Sequence, residues 1–138
     1  MMKYQMLKVL IVDDEEGITD FMGKILRLRG FSTFEALDGI SALEIFKKER
    51  PHINILDIRL GNSSIDGLGV LEQIKKIDPS ARCIMVTRVT DETAINKAKE
   101  LGAVHYLLKP IDAKEWVGVV LEVADSILEG ENNGKSHS

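Results

Sequence analysis

Apolar residues fall along this chain in two alternating patterns, and the alternation leaves few folds open. Residues 6–12 are a short, mostly apolar run that stops abruptly at Asp13-Asp14-Glu15-Glu16. Ile18, Phe21, Met22, Ile25 and Leu28 then follow at helical spacing, and Gly30 stands where such a helix closes. The pair of patterns recurs. Residues 31–37 read as a second strand, Asp38-Gly39 turns into a helix carrying Leu43, Ile45 and Phe46, and Pro51 breaks it. Residues 53–58 read as a third strand, interrupted by Asn54 and Asp57, and Leu68, Val70, Leu71, Ile74 and Ile77 form a helix that stops before Pro79. Residues 82–87 and 104–108 supply two more strands, Ala94, Ile95, Ala98 and Leu101 a helix closed by Gly102, and residues 111–128 the last helix. That is (βα)5. The central strands are apolar on both sides rather than alternating, so helices must cover both faces of the sheet. Right-handed crossovers then give a doubly wound parallel α/β sheet.

The chain's 138 residues suffice for one such domain. Eighteen Lys and Arg against 22 Asp and Glu leave a net charge of −4, which argues against binding to nucleic acid or an anionic membrane. The single cysteine, Cys83, can close no internal disulfide and build no zinc site, and its apolar neighbours make it a small buried hydrophobe. No segment approaches the ~20 apolar residues of a membrane span. The run at residues 7–12 is too short for a signal-peptide core and ends in acids, so a reducing cytoplasmic setting is expected. Residues 130–138 carry no apolar side chain. The expected division is a folded domain over 1–129 and a disordered polar tail or linker over 130–138.

In an open parallel sheet, ligands bind beyond the C-terminal ends of the strands. The first strand ends in Asp13 and Asp14, the third near Asp57, the fourth in Thr87 and the fifth in Lys109-Pro110, whereas Asp38-Gly39 after the second reads as turn chemistry. Three carboxylates brought together repel one another unless a cation joins them, and Mg²⁺ favours such an oxygen set with waters and a phosphate oxygen. With Lys109 beside it the site is formally neutral and prepared for an anion. A phosphoryl group on Asp57 would be stabilised by the metal and Lys109, and the Thr87 hydroxyl could donate to it.

These residues in this order resemble the receiver domain of two-component response regulators. The carriers are Val12-Asp13-Asp14-Glu15, Ile55-Leu56-Asp57-Ile58-Arg59-Leu60, Asp66-Gly67, Thr87 and Lys109-Pro110, within a likeness spanning residues 7–128. The resemblance implies a flavodoxin-like sheet in strand order 2-1-3-4-5. It also implies that Asp57 accepts a phosphoryl group from a histidine kinase or histidine phosphotransfer protein. Asp14 matches the direct ligand of Mg²⁺ (or Mn²⁺), Asp13 a ligand acting through water, and the backbone carbonyl of Arg59 the third protein ligand. Thr87 and Lys109 match the residues that sense the phosphoryl group, and Tyr106 the aromatic switch. The output surface would be helix four, strand five and helix five, facing a downstream protein or a second copy. The chain would catalyse its own phosphorylation without being a multiple-turnover enzyme.

Three features depart from the family pattern. The loop Gly61-Asn62-Ser63-Ser64-Ile65 is longer by about two residues and lacks a proline, so it should be more mobile. Arg88 stands after Thr87 where relatives carry a small residue. It would either crowd the approach to Asp57, as the long side chain of Arg59 could too, or point outward to Asp91 or Glu92. In the last helix Trp116, Val117, Val120, Ala124 and Ile127 make a core stripe, yet Val119, Leu121, Val123 and Leu128 are apolar as well. An exposed patch there would serve a homodimer or docking contact. His52, His105 and His137 are neither clustered nor spaced as metal ligands.

Other classes fit less well. A flavin carrier would place phosphate at the start of helix one, where Asp13 to Glu16 repel it. A haloacid-dehalogenase-like phosphatase needs a carboxylate two residues after its nucleophile, and position 59 is Arg. A phosphorylation-independent receiver acting purely as an interaction module is the remaining alternative, weakened by the complete acidic set with Thr87 and Lys109.

Overall fold

A computed structural model describes the backbone of residues 3–136 and the side chains of residues 3–130. The elements alternate as β1 (Lys8–Val12), α1 (Glu16–Leu28), β2 (Ser32–Ala36), α2 (Gly39–Glu49), β3 (Ile53–Leu56), α3 (Gly67–Ile77), β4 (Arg82–Thr87), α4 (Glu92–Glu100), β5 (His105–Leu108) and α5 (Ala113–Ser136). The strands are parallel in the order β2-β1-β3-β4-β5. The flavodoxin-like, doubly wound (βα)5 arrangement expected from the sequence is the one observed.

The period of two in the strands sorts their side chains between two cores. Leu10 and Val12 of β1, Leu56 of β3, and Cys83 and Met85 of β4 join one core with α2, α3 and the buried Ala98 of α4. Val9 and Ile11, Ile53 and Ile55, and Ile84 and Val86 join the other, with Met22 and Leu26 of α1 and Trp116, Val120 and Ala124 of α5. Each fully buried Leu or Ile contributes about 1.5–3 kcal/mol relative to exposure. This sandwich fixes the register of the strands and thereby the residues that follow their ends.

Helix ends follow local chemistry. Asp38, Asp66 and Asp91 cap α2, α3 and α4 by accepting from the N–H groups of Ser41, Gly69 and Thr93. Gly30 (φ 101°) closes α1 in a left-handed turn, with its N–H donating to Arg27 and that of Phe31 to Leu26. Gly102 (φ 98°) closes α4 in the same way.

One expectation changes at α5. Its extra apolar residues are not an exposed patch: Val123 is only 5% exposed, and Val119, Leu121 and Leu128 are half-buried against the second core. The residues before β1 supply part of the cover. The Tyr4 ring stacks on Phe31 at 4.7 Å, its hydroxyl donates to Asp125 of α5 at 2.9 Å, and Lys3 pairs with the same carboxylate. The backbone of α5 also stays helical to Ser136, past the point where apolar residues stop. Among the described residues no helix is long and apolar enough to cross a membrane.

Candidate functional site

In the strand order, β1 lies between β2 and β3, so the chain reverses direction across the sheet at the β1/β3 boundary and opens a crevice there. Asp13 and Asp57 are the first residues beyond these two strands, and the Asp57 N–H donates to the Val12 carbonyl at 2.9 Å, tying the strand ends together. Asp13 and Asp57 are 3% and 6% exposed, whereas Asp14 lies open to solvent. Carboxylate oxygens of all three lie within 4.8 Å of one another. The acidic cluster is thus walled by protein and open on the Asp14 side.

Lys109, directly after β5, is the counter-charge. Its Nζ lies 2.6 Å from Asp13 Oδ2 and 2.7 Å from Asp57 Oδ2, and the side chain is almost wholly buried. Burial pushes the Asp13 carboxyl above the usual carboxylate range, and the hydrogen bonds from Lys109 and the Glu15 N–H only partly offset it. Burial would likewise lower the Lys109 ammonium, but bonds and charges from both carboxylates outweigh it and hold it above lysine's ordinary value. Three carboxylates against one ammonium leave two negative charges. An all-oxygen donor set with that residual charge, open on one side to water, fits a hard divalent cation.

Thr87 is completely buried at the end of β4, and its carbonyl accepts from the Lys109 N–H at 2.9 Å. Its Oγ1 accepts from the N–H of Val89 at 3.3 Å, while the Val89 carbonyl accepts from the Tyr106 hydroxyl at 2.7 Å. Thr87 and Tyr106 therefore hold opposite sides of one residue. Burial, then the negative charges of Asp57 and Asp91, raise the Tyr106 hydroxyl above its ordinary value. The Arg59 side chain is exposed, and the Arg59 backbone N–H donates to Asp57 Oδ1 at 3.3 Å.

Arg88 takes a partner that neither sequence expectation names. Its Nη1 lies 2.9 Å from Glu15 Oε1, while Asp91 is engaged as the cap of α4. The same Glu15 oxygen is 3.9 Å from Lys109 Nζ. The 61–65 loop is tied down rather than loose: Ser63 Oγ accepts from the Gly39 N–H at 3.0 Å and donates to the Ile65 carbonyl at 2.8 Å. That one hydroxyl anchors the loop to the start of α2.

Four contributors lie outside the candidate set read from the sequence. Glu15 was visible as part of the acidic run, but not as the partner of Arg88. Gly67 packs against the acceptor loop so closely that a Cβ there would stand 1.9 Å from the Asp57 carbonyl oxygen. Its signal was a glycine directly after the capping Asp66. Val89 and Ser63 act through a peptide group and a loop hydroxyl, which carry no sequence signature. Of the histidines, His52 accepts the Lys8 N–H through Nδ1 at 3.0 Å, His105 lies 3.8 Å from Glu122 of α5, and His137 is outside the described residues.

Residues 9–121 match the family described as the response regulator receiver domain. Sporulation initiation phosphotransferase F of Bacillus subtilis is 38% identical over 108 residues, 78% of this chain and 86% of that protein. Chemotaxis protein CheY of Treponema pallidum is 31% identical over 122 residues, 88% of this chain and 82% of that one. Among solved structures, a CheY-like receiver domain protein from Methanospirillum hungatei superposes with a TM-score of 0.85 at 26% identity, covering 90% of this chain and 98% of its own. The receiver domain of NtrX from Brucella abortus gives 0.78 at 32% identity, covering 85% and 98%. Family, fold and acidic pocket agree, and this chain belongs to the response regulator receiver domains, signalling modules of two-component phosphorelays rather than multiple-turnover enzymes.

Proposed function

We propose that this receiver takes a phosphoryl group onto Asp57 from a sensor histidine kinase or a histidine phosphotransfer protein, and that the modification changes its α4–β5–α5 face for a downstream partner. The observation that carries the reading is Lys109, which bonds Asp13 and Asp57 at once inside a pocket with two negative charges in excess. The similarity to a sporulation initiation phosphotransferase supports a place in a relay.

In the transfer, a carboxylate oxygen of Asp57 bonds to phosphorus while the P–N bond to the donor imidazole breaks, its electron pair staying on that nitrogen. Asp14 directly, Asp13 through water, Asp57 and the Arg59 carbonyl are the residues to hold Mg²⁺ or Mn²⁺, which when bound neutralises charge on the phosphoryl oxygens. Lys109 is already placed to donate to the arriving group, and burial around it strengthens that bond. The Thr87 hydroxyl donates to a phosphoryl oxygen. Any movement of Thr87 reaches Val89, and from Val89 the Tyr106 hydroxyl. Tyr106 lines a groove of about 420 Å³ between α4 and β5, together with Ile95, Ala98, Val104 and Leu108. That groove is the output surface, and a second copy is one candidate to dock there.

Residues 1–129 are the receiver in this reading, since among the described side chains Ile127 and Leu128 are the last against the core, and residues 130–138 are its tail or the start of a linker. The setting is cytoplasmic, where histidine phosphodonors and free magnesium are at hand. The test is incubation with acetyl phosphate, with and without Mg²⁺, followed by intact mass. One Mg²⁺-dependent adduct in the parent and none in Asp57→Asn is expected. A folded parent that never gains the adduct would make the chain an interaction module that works without phosphorylation.

A further inference from the structure

Outside the buried pocket, one contact joins two of the loops that carry the site. Glu15 follows Asp14 in the β1–α1 loop, Arg88 follows Thr87 in the β4–α4 loop, and their side chains meet at 2.9 Å. The pair is exposed, with 61% of the Arg88 side chain and 47% of the Glu15 side chain in solvent. Exposed pairs of this kind hold weakly, so this one is poor as a brace and well suited to exchange. Its position gives the exchange a direction. The Glu15 oxygen that holds Arg88 is 3.9 Å from Lys109 Nζ, and Lys109 bonds Asp57 at 2.7 Å. Arg88 is therefore one carboxylate away from the cation that touches the acceptor.

We infer that Arg88 and Glu15 form an exchangeable latch over the Asp57 pocket, in which Glu15 holds Arg88 aside before phosphorylation and releases it to the phosphoryl group afterwards. The inference rests on the reading of Asp57 as acceptor. A phosphoryl group brings close to two negative charges and three acceptor oxygens, against one charge on Glu15. Its geometry suits the planar fork of a guanidinium, and it repels Glu15 at the same time. Arg88 then joins Lys109 as a second cation on the group and covers the solvent side of the pocket.

That cover acts on the loss of the phosphoryl group. In hydrolysis a water oxygen bonds to phosphorus, the bond from Asp57 to phosphorus breaks with its electrons returning to the carboxylate, and the water's proton leaves with the inorganic phosphate or to solvent. The pocket walls are buried and the opening is on the Asp14 side, next in the chain to the Glu15 that holds Arg88, so an Arg88 drawn onto the phosphoryl group stands in the path of water. Arg88 is a positioning residue that lengthens the life of the acyl phosphate, and Glu15 shortens it by competing for Arg88.

The decay of the phosphorylated protein tests this, with the parent, Arg88→Ala, Arg88→Lys, Glu15→Gln and the double variant Arg88→Ala/Glu15→Gln loaded with acetyl phosphate and Mg²⁺. Arg88→Ala is expected to decay about threefold or more faster than the parent, the scale of losing one solvent-exposed ion pair. Arg88→Lys keeps the charge without the fork and falls between. Glu15→Gln decays more slowly than the parent, and the double variant decays like Arg88→Ala, because Glu15 acts only through Arg88. Equal decay in parent and Arg88→Ala, or a Glu15→Gln effect that persists without Arg88, overturns the latch and leaves the acceptor role intact. A parent that never acquires the phosphoryl group fails at the acceptor, and the latch falls with it. Magnesium affinity of the unphosphorylated proteins is the second readout: removing the Arg88 cation should tighten it and neutralising Glu15 should weaken it, and no change in either variant counts against their placement at the pocket.

Discussion

The Tyr106 hydroxyl donates to the main-chain carbonyl of Val89 across 2.7 Å, and this bond joins the output edge of the sheet to the loop beside the acceptor. Val89 is also the residue whose N–H is held by Thr87. Its side chain is buried in the same core as Met85 and Ala98, so the peptide cannot drift without disturbing that packing.

Removal of that hydroxyl in Tyr106→Phe keeps the ring and deletes the bond. The expected cost is about 0.5–1.5 kcal/mol of stability, the net worth of one such hydrogen bond. Faster amide exchange should appear across residues 87–91 and nowhere in α1. Unchanged exchange in that loop would show that the Tyr106 contact does not restrain it.

Gly67 and Gly118 should respond to alanine in opposite directions. At Gly67 the added methyl meets main-chain atoms of Asp57 and Ile58, with the Asp57 oxygen at 1.9 Å, so the acceptor loop itself must move. Destabilisation of about 1–3 kcal/mol or more is expected, with weakened magnesium binding because the Asp57 carboxylate shifts with its backbone. Gly118 lies inside α5 with nothing within 4 Å of a new Cβ, so alanine there should stabilise by about 0.5–1 kcal/mol through helix propensity. Urea unfolding of both variants checks the contrast.

Magnesium should raise the unfolding midpoint of the parent, because an ion that binds the assembled carboxylates stabilises the folded state by mass action. The gain is about 2.7 kcal/mol at a hundredfold excess over the dissociation constant. Asp14 is exposed, no side chain among the described residues bonds to it, and its charge adds to a cluster already negative in excess, so Asp14→Asn should leave the metal-free midpoint at or above that of the parent and abolish the magnesium-dependent rise. A full magnesium response in Asp14→Asn would remove that residue from the binding set.

The site was legible in the sequence to the extent that it is written along strands. Asp13, Asp57, Thr87 and Lys109 each sit at a fixed offset from an apolar run, and once the runs are placed in a parallel sheet their ends converge. Contacts made between loops were not legible in this way. Arg88 and Glu15 are 73 positions apart and meet through half-exposed side chains, so no periodicity announces them. Ser63 was hidden for a related reason, since one hydroxyl bridging two main-chain groups turns a long loop into an anchored one. The surplus apolar residues of α5 were counted against a single buried face, whereas the chain covers that helix from more than one side, partly with Tyr4. At the chain's end, polar composition reports where the core stops, and the α5 backbone runs on to Ser136.

Cys83 gives the last prediction, and its sign follows from burial. The thiol is fully enclosed in the core around β4, and burial pushes it up to about 12 from an ordinary value near 9. The folded state therefore holds this proton more tightly than the unfolded chain does. Between those two values the unfolded chain alone loses it, so stability falls as pH rises, by up to ~1.4 kcal/mol per pH unit from this group. The contribution is fully present below pH 9 and is lost on the way to 12. Cys83→Ala lacks this slope. Urea unfolding at pH 8.5 and pH 10 should show the parent losing stability relative to the variant at the higher pH, although the variant starts lower because it leaves a small cavity. At pH 8 the native thiol should resist a disulfide reagent that labels the unfolded chain at once. Parallel pH profiles in the two proteins, or prompt labelling of the native one, would mean that the β4 core opens to solvent far more readily than its packing implies.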